Sequence, residues 1–154
     1  TGKSNQKYIP ADKEQKRNYV QAHLLKLKYD YETDKFPSLE DFLVLIPKCI
    51  ERFDAKRKQL NFSSNAQIFI TLPENKMLRI FSNGEAHQII SKKNIEEFDR
   101  YLVITTDFRL LLRIMRGPKF AHWNNAEIGS HLEFIRKPNV YERALFYCLN
   151  FFHV

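Results

Sequence analysis

AQIFITLPENKMLRIFSNGEAHQII, residues 66 to 90, decides the fold class. Ala66 to Leu72 and Lys76 to Ser82 alternate apolar and polar side chains with the period of two that a strand requires. Pro73-Glu74-Asn75 separates them, and Asn83-Gly84 is a hairpin signal ahead of Glu85 to Ile90. Three antiparallel strands in a meander are therefore predicted. Downstream, the polar residues 91 to 99 read as a connecting turn, and Arg100 to Thr105 (RYLVIT) as a fourth, buried strand.

Helical periodicity flanks this sheet on both sides. Thr106 or Asp107 should cap a short helix through Met115, stopped by Gly117-Pro118. Its Phe108, Leu111, Leu112 and Met115 share one face, and Arg109, Arg113 and Arg116 another. After the loop 119–125, Ala126 to Ile135 is read as a last strand interrupted by Gly129. Pro138-Asn139 then leads into a helix with Tyr141, Ala144, Leu145, Cys148, Leu149 and Phe152 on its inner side. Upstream, Pro10 to about Tyr29 predicts an amphipathic helix. A second begins at Ser38, with Asp41 three residues on as in a capping box, and carries a stripe from Leu39 to Phe53 that Pro47 should kink or break near Ile46. The expected architecture is α+β: an antiparallel sheet of about five strands, helices packed on one side, and an N-terminal helix ahead of them. Residues 1–9 form a mobile arm in this reading, 10–35 the N-terminal helix and linker, and 36–154 the α+β domain.

A chain of 154 residues and 44% hydrophobic composition, with 13 Phe, 7 Tyr and 1 Trp, has the means to build its own core. Its longest apolar runs, such as Phe42 to Pro47, fall far short of the roughly 20 residues of a membrane span. The start Thr1-Gly2-Lys3, without an initiator Met, is read as that of a piece of a longer protein. The net charge of +7 is spread evenly, with 13 Lys/Arg against 9 Asp/Glu in residues 1–60 and 12 against 9 in 61–154. An evenly basic, solvated surface is thus expected ahead of a nucleic-acid site. Cys49 and Cys148 fall on apolar helix faces, where an unpaired Cys acts as a small hydrophobe, and they suit a reducing cytoplasm.

Chemistry-bearing motifs are sparse. His23, His87, His122, His131 and His153 include no pair at i, i+3 or i+4, and HxH, HExxH and CxxC are all absent, so no metal or other cofactor is expected. The four glycines, at 2, 84, 117 and 129, make no phosphate loop. Glu127 and Glu133 would share a face of the last strand, most simply a wetted one. What stands out is Phe120 to His131, with the only Trp, two His and two Asn in twelve residues. Trp123 either plugs the core edge, with Asn124 and Asn125 in a turn, or rims a mostly apolar pocket.

The order of helix, meander, strand, short helix, loop, glycine-bearing strand and terminal helix resembles the sterol carrier protein type two domain. The likeness is best over residues 101 to 152, where Leu102-Val103-Ile104-Thr105-Thr106-Asp107-Phe108-Arg109-Leu110-Leu111 runs from a strand into a Leu-rich helix, and where Gly129 to Arg136 and Asn139 to Phe152 follow. The runs Trp123 to His131 and Tyr147 to His153 also look similar to the C-terminal tail of some metallo-β-lactamase-fold hydrolases. These resemblances imply a non-catalytic accessory domain of a larger enzyme, which binds an apolar small molecule or substrate, contacts the catalytic domain of its own chain, or mediates a homodimer. The implied ligand site comprises Phe108, Leu111, Leu112, Met115, Phe120, His122, Trp123, Asn124 and Asn125. One rival reading is a basic module binding RNA or another polyanion through Arg109, Arg113, Arg116 and the cations of residues 48–58. Another is a small hydrolase using His122 or His131 with Glu127.

Overall fold

The computed structural model describes residues 31–93, 95, 98–128, 132–139 and 142–154. The chain divides into two compact units, residues 1–34 and 35–154. The predicted arm and the helix from Pro10 to Tyr29 lie outside the described residues, and so do His23, Gly129, His131 and Tyr141.

The second unit opens with helices α1 (Leu39–Leu43) and α2 (Ile46–Gln59). The Ser38 backbone N–H donates to Asp41 Oδ2 at 2.9 Å, the backbone half of the expected capping box. The interruption expected at Pro47 is a full break: Pro47 falls in the first turn of α2, where its missing N–H leaves no helical bond unmade. Lys56, Arg57 and Lys58 occupy the last turn of α2, where cations suit the helix dipole.

Five strands follow: β1 (Gln67–Leu72), β2 (Lys76–Phe81), β3 (Gln88–Ser91), β4 (Tyr101–Thr105) and β5 (Glu133–Lys137). Helix α3 (Phe108–Arg116) and the short α4 (Trp123–Ile128) lie between β4 and β5, and α5 (Arg143–Leu149) follows β5. The fold is α+β with a five-stranded sheet in the order β3-β2-β1-β4-β5. Three of its pairings are antiparallel, as expected, but the fourth, between β1 and β4, is parallel, with Gln67 beside Tyr101 and Ile70 beside Ile104. Strand β3 runs in the same direction as β1, so residues 92–100 must return to the opposite end of the sheet before β4 can begin. The link expected over residues 91–99 as a connecting turn is therefore a crossover between parallel strands. Its two apolar residues explain the path: Ile95 is buried and the Phe98 ring stacks on Phe69 at 5.8 Å.

One sheet face carries Ile68, Ile70, Leu72, Leu78, Ile80, Leu102 and Ile104, all at most 2% exposed. Helix α5 packs on this face, with Phe146 edge-on to Phe134 of β5 at 5.4 Å. It also packs against α2. The other face carries a smaller cluster of Phe69, Met77 and Tyr101, covered by Ile95 of the crossover.

The expected strand Ala126 to Ile135 is corrected. Residues 123–128 are helical, with Trp123 and Ala126 buried one turn apart, and the strand begins only at Glu133. Glu127 and Glu133 therefore do not share a strand face.

Arg57 joins three segments. Its Nε donates to Asp54 Oδ1 at 3.3 Å and its Nη1 to the Phe62 carbonyl at 3.0 Å, while Nη2 lies 2.8 Å from where a Cβ on Gly84 would stand. Gly84 itself has φ +92°, in the region that favours glycine. Gly84→Ala should therefore lower stability by about 1–2 kcal/mol through backbone strain, with crowding of Arg57 in addition. Urea denaturation would show this as a lower midpoint at unchanged slope.

Candidate functional site

The nine candidate residues lie between Asp107 and Ile128, a stretch that is closed by residues 152–154. Asp107 caps α3: its Oδ1 accepts from the Arg109 backbone N–H at 2.9 Å and from Arg109 Nε at 3.0 Å, and its Oδ2 accepts from Nη2 at 2.9 Å. The Arg109 side-chain hydrogen bond, ahead of any other influence, holds the Asp107 carboxyl below the usual carboxylate range. The Arg109 guanidinium also lies over the Phe36 ring, 4.3 Å from its centre.

Beyond this cap α3 is buried over a broad face, including Leu110, Leu111, Leu112, Ile114 and Met115. Gly117, at φ +126°, turns the chain into the loop that carries Phe120. Trp123 then opens α4 at 4% exposure, its Nε1–H donating to the Phe152 carbonyl at 2.8 Å and its ring edge-on to that of Phe152. Two residues on, the Val154 N–H donates to the Met115 carbonyl at 2.8 Å. The tail therefore bonds to both α3 and α4.

This arrangement sorts the nine candidate residues into two sets. Leu111, Leu112, Met115 and Trp123 point inward as core residues, and Phe108 is half-buried with its ring edge-on to Phe42. Phe120, at 51% exposure, stands on the surface with His122, Asn124 and Asn125. Of the two roles open to Trp123, its buried indole and satisfied N–H are those of a core plug. A polar cleft of about 370 Å³ lies elsewhere, lined by Phe62, Ser63, Ser64, Asn65 and the ion-paired Arg100 and Glu142.

The two thiols are buried. Burial pushes the Cys49 thiol up to about 12 and also raises that of Cys148. His153 is buried, with Nδ1 3.0 Å from the Val154 carbonyl oxygen, whereas His122 is exposed. Among the described residues, no group of three His, Cys, Asp or Glu side chains could hold a metal ion. Several cations invoked for polyanion binding have partners within the fold. Arg109 is taken by Asp107, Arg57 by Asp54 and Lys48 by Glu51, while Lys56 sits over the Phe151 ring.

A cluster that the sequence reading missed lies on the other sheet face, where Arg79 Nε donates to Gln67 Oε1 at 2.7 Å beside three phenylalanine rings. The signal was present in the alternation of KMLRIFS, which puts Arg79 on the same face as Met77 and Phe81. Comparison with models of protein families, with curated proteins and with solved structures finds no match to this chain.

Two outcomes follow from this geometry. Trp123→Ala should cost about 3–5 kcal/mol in chemical denaturation, because it removes a large buried ring and leaves the Phe152 carbonyl without its donor. For Cys49 the folded value of about 12 lies above the ordinary 9.0, so between those pH values the unfolded chain holds fewer protons than the folded one. Stability should therefore fall as pH rises from 9 towards 12, with a slope from this group approaching about 1.4 kcal/mol per pH unit, and Cys49→Ala should flatten that part of the profile.

Proposed function

We propose that this chain is a non-catalytic accessory domain of a larger enzyme, of the kind carried by metallo-β-lactamase-fold hydrolases, and that it works by making contact with another domain or subunit. The observation that carries this reading is the Trp123 to Phe152 hydrogen bond. It commits the inner side of α4 to the core and leaves Phe120, His122, Asn124 and Asn125 on the outside. A half-exposed aromatic beside amide side chains on an anchored helix suits a protein interface, in which an apolar centre is ringed by hydrogen-bonding groups. The burial of Leu111, Leu112 and Met115 weighs against a lipid chain lodging beneath this segment.

Catalysis is assigned to the rest of the parent protein, because the two thiols are buried with raised pKa values and His122 has no side-chain hydrogen-bond partner among the described residues. Buried free thiols also suit a reducing, cytoplasmic setting.

Hydrogen exchange over residues 119–126 tests the proposal, comparing this chain alone with the intact parent protein. Slower exchange in the parent, restored to the isolated rate by Phe120→Asp, is the expected result. Equal exchange in the two would overturn the contact role. A saturable shift of Trp123 fluorescence on titration with a long-chain fatty acid would instead favour ligand carriage.

A further inference from the structure

The sheet face opposite α5 holds a positive group whose surroundings are built from neutral acceptors and rings. Arg79 of β2 stands between Gln67 of β1 and Gln88 of β3. Its Nε donates to Gln67 Oε1 at 2.7 Å and its Nη1 to Gln88 Oε1 at 3.3 Å. The guanidinium lies 4.7 Å from the centre of the Phe81 ring, 5.1 Å from that of Phe98 and 6.0 Å from that of Phe69. Lys93 addresses the same Phe98 ring, with Nζ 5.6 Å from its centre.

Neither cation has a carboxylate within ion-pair distance among the described residues. This separates them from Arg57, Arg100 and Arg109, each of which has one. The hydrogen-bonding inventory is equally one-sided. A guanidinium has only donors, so each glutamine must turn its carbonyl oxygen towards Arg79, which leaves its NH₂ group as a further donor nearby. Arg79 Nη2 and the two amide NH₂ groups have no acceptor among the described residues. Three rings flank the guanidinium and two glutamine oxygens orient it, which lowers the ordering cost of binding a negative group.

We infer that Arg79, Gln67, Gln88 and Lys93 form an oxyanion-binding site, which takes the carboxylate or phosphate group of a small molecule. A planar fork with its side and one end already oriented suits two-point recognition of such a group. The site lies on a different element from Phe120 to Asn125 and does not depend on the contact role proposed for that segment.

The test is an NMR titration of the full 154-residue chain, following the Arg79 Nε–H resonance against inorganic phosphate and, separately, succinate, with sodium chloride at matched ionic strength as reference. A saturable shift with either oxyanion beyond that of chloride is expected, and the stronger of the two identifies the phosphate or carboxylate source. Arg79→Lys, followed through backbone amides of β1 and β2, keeps the charge but loses the fork and should weaken binding by about tenfold or more. Gln67→Glu supplies an internal carboxylate to Arg79 Nε and should abolish binding while keeping the fold, so it remains decisive if Arg79→Lys does not fold. The inference is overturned if neither oxyanion shifts the resonance saturably, if folded Arg79→Lys binds as tightly as the parent chain, or if Gln67→Glu retains full affinity.

Discussion

Strand β1 has to be buried on both faces, and the remainder of the described architecture answers to that constraint. Ile68, Ile70 and Leu72 need cover on one side, Phe69 and Thr71 on the other, and none of the five is more than 8% exposed. A hairpin alone cannot meet this need, because β2 protects only one edge of β1 and neither face. Helices supply the first cover. The second comes from the parallel placement of β4, which obliges residues 92–100 to travel back along the sheet and brings Ile95 and Phe98 over Phe69. The parallel register also sets Thr71 beside Thr105, whose hydroxyls lie 3.1 Å apart and share one hydrogen bond at the half-buried end of the pair.

The helical side is closed by the tail in a related way. Residues 107–128 leave the sheet as α3, reverse at Gly117 and continue as α4 before β5 begins. Two backbone groups, the Phe152 carbonyl and the Val154 N–H, tie α4 and α3 to residues 152–154. Because the Phe152 carbonyl accepts a hydrogen bond from Trp123 Nε1–H and the Val154 N–H donates one to the Met115 carbonyl, residues 152–154 answer an acceptor left open at the end of α3 and a buried indole donor together. A buried side chain with a single polar atom needs just one well-placed partner, and the chain ending supplies it.

The parts legible in the sequence were those written in local chemistry. Strands β1 and β2 followed from alternation, the cap of α3 from Asp107 ahead of an apolar run, and the break before α2 from Pro47. Strand direction was not legible, since side-chain alternation is the same for a parallel and an antiparallel neighbour. The helix at 123–128 was missed because AEIGSHLEFI supports a strand reading once its apolar residues are counted in steps of two, while the preference for helix depends on the distant Phe152. For the same reason the burial of Trp123 could be posed as a choice but not decided. The grouping of Arg79 with Gln67 and Gln88 needed three strands in register, although each residue's face was already implied by alternation.

The placement of charge separates structural from available cations more sharply than the overall charge of +7 does. Arg57 and Arg109 are each saturated by a carboxylate in their own helix or cap, and Arg57 adds a carbonyl, so their positive charge is neutralised where it is buried. Arg79 is held instead by neutral oxygens and rings, interactions that orient a guanidinium without cancelling its charge. An oriented guanidinium whose charge is not cancelled by a neighbouring carboxylate is the feature on which the oxyanion site inferred for the second sheet face rests.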